Sequence, residues 1–377
     1  MGRTVVVIGG GVVGAASALA LARRGAEVVL LEAQPELALG ASGTNSGILH
    51  SGFDSHPGEL ETQLILRSAA LRDGVLRTLD VPVQRTGAVL RARDESQLEA
   101  IGALEANARI NGVQADLDGH ELLVPGEWVT DPVAYTLALA AAAQAHGATV
   151  RAGAQVVGVS RASARALAVQ LASGEAVEAD AAVNAAGLHA DEIAAGAGDR
   201  AAFRIYPRKG EFFVFEPPAG EPLDRILLPI PDRQTKGVLV FPTLDGKVVA
   251  GPTAVDQEDK GDWTVRPEAQ AEVTAKAAEL LPGLAGAAPE AHYAGLRPAG
   301  EGVNYVIEPA SALPELLHAA AIRSTGLSAA LGIAELVAQR LASRGLELGD
   351  EAPLQAGDPP ALAGPWWQRS AAHWAGT

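Results

Sequence analysis

The hydrophobic pattern opens with an unbroken apolar run, Thr4–Ile8, that stops at Gly9-Gly10-Gly11, and residues 12–24 then change to helical spacing with small side chains at Ala15, Ala16 and Ala18. A short apolar run bounded by glycine predicts a buried strand, and the change of period predicts a helix after a tight turn. Gly25 ends that helix, residues 27–31 read as a second buried strand, and Glu32 closes it. Gly9, Gly11 and Gly14 fit G-x-G-x-x-G between strand and helix. Gly9 makes the turn, Gly11 lets backbone approach a pyrophosphate, and Gly14 lets the helix pack closely on the strand. The phosphates then face a helix N-terminus. Glu32 stands where an acid accepts hydrogen bonds from both ribose hydroxyls and repels a phosphate there, which argues against NADP and leaves FAD or NAD.

The pattern further along favours the longer ligand. Residues 40–47, Gly-Ala-Ser-Gly-Thr-Asn-Ser-Gly, are small and polar and suit a second backbone contact, which FAD needs this early and a single NAD unit does not. Helices follow at 59–78 and 96–111, with a strand at 87–93 between them. Thr130-Asp131-Pro132 starts another helix, with a capping side chain and a proline in the first turn, that runs to 146–147. Residues 149–160 and 166–171 alternate like two antiparallel strands, Gly174 lies near the turn after them, and 180–186 returns as a buried strand ending at Gly187. From 202 to 253 the pattern is β, with short strands at 211–216, 237–242 and 247–251; an amphipathic helix at 268–281, a strand at 317–322 and a helix from 326 to about 343 complete it. The prediction is an α/β chain. A discontinuous Rossmann-type dinucleotide domain takes 1–80, 147–201 and 291–345, a mainly antiparallel β substrate domain takes 81–146 and 202–290, and 346–377 is a surface-wrapping tail.

Composition narrows the functions. At 377 residues the chain can bury two subdomain cores, and a formal charge of −16 works against nucleic acid and anionic lipid while leaving room for a small basic pocket. With no cysteine there is no disulfide, no thiolate catalysis and no iron–sulfur cluster on this polypeptide, so redox work needs a bound cofactor. The first strand leaves no space for a signal peptide, and no apolar run approaches the roughly 20 residues of a bilayer span, which points to the cytoplasm. Neither H-E-x-x-H nor G-x-x-x-x-G-K-[ST] occurs, and no metal is expected. Trp366, Trp367 and Trp374 form an aromatic tail, read as packing on the enzyme or on a second subunit in a homo-oligomer rather than resting on a membrane interface near a quinone pool.

Six segments in order resemble the FAD-dependent oxidoreductases of the D-amino-acid-oxidase-like superfamily, in the branch of L-2-hydroxyglutarate oxidases and glycerol-3-phosphate dehydrogenases. They are the glycine turn with Glu32; Thr44-Asn45-Ser46-Gly47-Ile48-Leu49-His50-Ser51-Gly52; Pro57-Gly58-Glu59-Leu60; Arg208-Lys209-Gly210-Glu211; Ala294-Gly295-Leu296-Arg297-Pro298; and Ser324-Thr325-Gly326-Leu327-Ser328. The chain departs from those relatives that carry a cysteine-rich module.

The resemblance implies FAD with its ring between the two domains and hydride transfer from a secondary alcohol to flavin N5. Such a reaction needs a base, an anion anchor and a charge stabiliser. His50, beside the ring in the family pattern, is the candidate base, with His292 in reserve. Arg297 is the candidate anchor for a carboxylate or phosphate, and Arg208 and Lys209 add positive charge for a dianionic substrate. The helix opening at Gly326, with Thr325, Leu327 and Ser328, points its dipole at the flavin, and Val156 and Gly187 complete the cofactor set with Thr44, Asn45, Ser46 and Gly47. The implied substrate is a small anionic 2-hydroxy acid or glycerol 3-phosphate, with oxygen or a quinone as electron acceptor. An amino acid or secondary amine on the same fold is the alternative, and a non-catalytic flavin-binding module is a third reading.

Overall fold

The computed structural model describes residues 3–164, 166–199, 202–218, 222–231 and 237–374. Five parallel strands form the first sheet, in the order Leu316–His318, Ala181–Asn184, Thr4–Ile8, Glu27–Leu31 and Thr149–Arg151. Thr4–Ile8 sits at its centre because Val5, Val6 and Val7 are apolar on both faces and can be covered on both sides. Helices Val12–Ala22, Pro132–Ala145 and Gly326–Ser343 cover one face, and a three-stranded antiparallel sheet of Val156–Ser163, Ala166–Leu171 and Ala176–Ala179 covers the other. Asp131 caps Pro132–Ala145, its carboxylate accepting from the amides of Val133 and Ala134 at 2.8 Å each.

The second, larger sheet is mainly antiparallel. Its spine is the pair Ile205–Phe215 and Ala291–Gly300, in register from Ile205 opposite Gly300 to Val214 opposite Ala291. A third, small sheet joins Ile48–Leu49, Trp128–Thr130 and Val83–Gln84.

Four expectations are corrected. Residues 149–160 are two strands rather than one: Thr149–Arg151 joins the parallel sheet, the chain turns at Gly153 with φ of 65°, and Val156–Ser163 starts the antiparallel layer. Residues 291–300, assigned to the dinucleotide domain, belong to the larger sheet. Helix Pro132–Ala145, assigned to the substrate domain, packs in the core around Val12–Ala22. The tail, expected to wrap the surface, contains a helix, Trp366–Trp374; the burial of its Trp366 and Trp367 in the core of the larger sheet agrees with the expected packing on the enzyme. The termini of the expected domains at 1–2 and 375–377, and residues 200–201 at their junction, lie outside the described residues.

Candidate active site

A cavity of about 1330 Å³ runs between the two larger sheets. It exceeds the roughly 300–1,000 Å³ typical of a pocket for one drug-sized molecule, which leaves space for a long dinucleotide and a small substrate together. One end lies at the carboxyl ends of Thr4–Ile8 and Glu27–Leu31, where open α/β sheets bind ligands. Gly9 turns there with φ of 108°, and its amide donates to Leu31 O at 2.7 Å. A side chain at Gly14 would strike Gly9 O, so the helix can approach only as glycine. Gly9 and Gly11 line the cavity, while Gly14 packs behind them.

Glu32 lines the same end and also builds it. One carboxylate oxygen accepts from Gly10 N at 2.6 Å and the other from Gln34 N at 2.8 Å. An ionised carboxylate has about four acceptor sites, so capacity remains for a ribose hydroxyl. The loop 40–47 is held by its own side chains: Ser42 Oγ accepts from Val12 N at 2.9 Å, Asn45 Nδ2 donates to Ser42 O at 2.6 Å, and Asn45 Oδ1 accepts from Gly47 N at 2.7 Å. Thr44, Asn45 and Ser46 line the cavity, whereas Gly47 packs against Thr130 O. Val156, Gly187, Gly326 and Leu327 line it as well.

Ser328 does not. Its hydroxyl accepts from His50 N at 2.8 Å and donates to Ile48 O at 3.3 Å, tying the start of helix Gly326–Ser343 to the short strand before His50. Thr325 lines the cavity but does not cap the helix. Its hydroxyl donates to Glu61 at 2.6 Å and meets the Tyr305 hydroxyl at 2.8 Å, so among the described residues the amides opening this helix have no side-chain cap. They face the cavity as a positive dipole end.

The small sheet places His50. Leu49 is opposite Trp128 in an antiparallel pair, so the next residues, His50 and Glu127, come side by side. His50 Nδ1 lies 2.7 Å from Glu127 Oε2, and Ser51 donates to Glu127 Oε1 from its amide at 2.6 Å and its hydroxyl at 2.7 Å. Glu127 is fully buried. Behind it, buried Arg72 donates to Leu49 O at 2.8 Å, to His50 O at 3.0 Å and to Gly126 O, and its guanidinium lies over Trp128 at 4.3 Å. Burial pulls its pKa down, against the attraction of Glu127.

The larger sheet supplies the cations. Arg208 and Arg297 are directly opposite on antiparallel strands, so they share a face, and both line the cavity. Arg297 donates to Arg208 O and Thr253 O at 3.2 Å each, and its guanidinium packs on Gly210, where a side chain would collide with it. Among the described residues no carboxylate forms an ion pair with it. Burial, with Arg208 alongside, pushes its pKa down to about 10, which keeps it charged at neutral pH. Arg208 is held loosely, its Nε 3.5 Å from Asp256.

Two predicted residues are elsewhere because successive strand residues face opposite ways. Lys209, next to Arg208, points away from the cavity and is buried against Asp262 at 2.8 Å and Thr264 O at 3.0 Å. His292 is exposed on the far face, near Phe213. The tail also reaches the site: Trp374 stacks on Trp263 at 4.1 Å, and both line the cavity. Sequence reading missed Glu127, Arg72, Glu61 and Trp263. All four reach the site through contacts with residues far away in sequence.

The turn with its packed-in glycines, the carboxylate at its edge, the second loop and two helix N-termini fit FAD. The family described as FAD dependent oxidoreductase matches residues 4–340. A glycerol 3-phosphate dehydrogenase of Caloramator mitchellensis is 28% identical over 351 residues, covering 87% of this chain and 72% of that protein. An L-2-hydroxyglutarate dehydrogenase of Escherichia coli is 28% identical over 268 residues, covering 66% of this chain and 63% of that protein. The dithionite-reduced L-α-glycerophosphate oxidase of Mycoplasma pneumoniae, solved with FAD bound, superposes with a TM-score of 0.87 at 25% identity, covering 96% of this chain and 100% of that one.

Proposed function

Because this chain belongs to the FAD-dependent oxidoreductase family, we propose that it oxidises a small anionic secondary alcohol, a 2-hydroxy acid such as L-2-hydroxyglutarate or glycerol 3-phosphate. One observation carries the reading: a histidine backed by a buried carboxylate and an arginine with no ion-pair partner among the described residues line the same cavity as the dinucleotide turn. FAD, when bound, supplies the acceptor for the hydride that leaves the substrate carbon. Gly9, Gly11, Glu32, the 44–46 segment, Val156, Gly187 and Gly326 would hold it.

Arg297 binds the substrate anion through its fork of donors and so fixes which carbon faces the ring. Its positive charge, desolvated and without an ion-pair partner among the described residues, is compensated when the anion enters. Arg208 on the same face adds a second positive group for a dianion. His50 accepts the hydroxyl proton through Nε2, since Nδ1 is engaged by Glu127. An amino acid would leave this base with nothing to do, because loss of a proton from its ammonium suffices. Anaerobic mixing of the holoenzyme with hydroxy acids, glycerol 3-phosphate and amino acids, followed by the visible flavin band, tests the proposal.

A further inference from the structure

We propose that Glu127 is the positioning residue that fixes the tautomer of His50, holding the proton on Nδ1 and keeping Nε2 as the basic nitrogen. This deepens the reading of His50 as the base and rests on it. Glu127 is fully buried and its carboxylate meets three groups: Ser51 N, Ser51 Oγ and His50 Nδ1. The Ser51 amide can only donate, so Oε1 must accept. With Glu127 as the carboxylate, Oε2 is also an acceptor and Nδ1 at 2.7 Å carries the hydrogen. A neutral imidazole protonated on Nδ1 has its lone pair on Nε2, on the other side of the ring from Glu127.

Arg72 keeps this arrangement in place. Its guanidinium donates to the backbone carbonyls of His50 and Gly126, so the strand ends that carry the histidine and the carboxylate are held by one cation.

Substituting Glu127→Gln makes the proposal sharply testable. The amide oxygen has to stay on the Ser51 amide, because an NH₂ there would set donor against donor. The NH₂ is thereby turned to Nδ1, which must become an acceptor, and the ring proton moves to Nε2. The variant keeps the shape of the site and inverts the tautomer. In a serine-protease triad the comparable carboxylate-to-amide change costs about 10⁴ in kcat, and a fall of about 10²- to 10⁴-fold in the rate of flavin reduction is expected here.

The experiment is a long-range ¹H–¹⁵N correlation spectrum of ¹⁵N-histidine-labelled holoenzyme, recorded where His50 is neutral, with its signals assigned by their loss in His50→Gln. The expected result is protonated Nδ1 in the wild type and protonated Nε2 in Glu127→Gln, with slow single-turnover reduction in the variant. A wild-type His50 protonated on Nε2 overturns the proposal, and this measurement decides even where the variant fails to fold. A Glu127→Gln enzyme that reduces its flavin at the wild-type rate, beside a slow His50→Ala, overturns the proposal alone. A His50→Ala enzyme at the wild-type rate overturns the base reading and the proposal with it.

Discussion

Replacing Arg297 with leucine removes the anion anchor while leaving an apolar side chain of related length in a buried position. In the structure the guanidinium donates two long hydrogen bonds to carbonyl oxygens, at 3.2 Å each, and among the described residues it has no ion-pair partner. The bidentate contact it would make with a carboxylate or phosphate is therefore its strongest interaction. Hydrogen bonds involving a charged group are each worth about 1.5–3 kcal/mol, so two amount to about 3–6 kcal/mol. At about 1.4 kcal/mol per factor of ten, kcat/KM should fall by about 10²- to 10⁴-fold. The loss should appear first in substrate affinity, since the anion is held before and during reaction, and also in the rate, since an unanchored substrate no longer holds its carbon in place. Arg297→Lys keeps the charge but not the planar fork and should fall between the two. Stopped-flow reduction over a range of substrate concentrations separates affinity from rate, and the flavin spectrum confirms an intact site. A leucine variant with bound FAD and a kcat/KM within about threefold of wild type would show that Arg297 does not anchor the substrate.

Two further outcomes follow from the same geometry. His50→Ala should keep its flavin spectrum and reduce it about 10²- to 10⁴-fold more slowly under single-turnover conditions, as loss of a general base requires. Burial raises the Asp262 carboxyl, but hydrogen bonds from Lys209 and Thr264 outweigh it and hold the pKa at about 2, below its unfolded value near 4. The stabilisation is thus present above about pH 4 and is lost as the pH falls towards 2. Asp262→Asn should cost about 1–3 kcal/mol at pH 7, less than for a fully buried pair because Asp262 is partly exposed, and markedly less at pH 3, as read by denaturant unfolding.

The parts of this molecule that are legible in sequence are those determined by neighbours along the chain. Thr4–Ile8, Glu27–Leu31 and the glycine turn between them are specified by an apolar period and by steric demands within a few residues, and Asp131 announces its helix as a cap. The strand Ala291–Gly300 escapes because Gly295 and Pro298 interrupt its pattern. Without that strand, the alternation that turns Lys209 and His292 away from Arg208 and Arg297 has no frame of reference. Glu127 escapes for another reason. It meets His50 through the register of strands only two and three residues long, Ile48–Leu49 and Trp128–Thr130, and such pairing leaves no local signature. The helix Trp366–Trp374 lies beyond a stretch rich in proline and glycine and is stabilised by burying Trp366 and Trp367 in a core built much earlier in the chain.

The measurement that bears most directly on the account is the anaerobic reduction of the purified holoenzyme's flavin by hydroxy compounds and by amino acids in parallel. L-2-Hydroxyglutarate or glycerol 3-phosphate should bleach the visible band in a single rapid phase, while glutamate, glycine and proline leave it oxidised. Rapid bleaching by an amino acid with none by any hydroxy compound would contradict the assignment of His50 as an alcohol base and of Arg297 as the anchor that serves it.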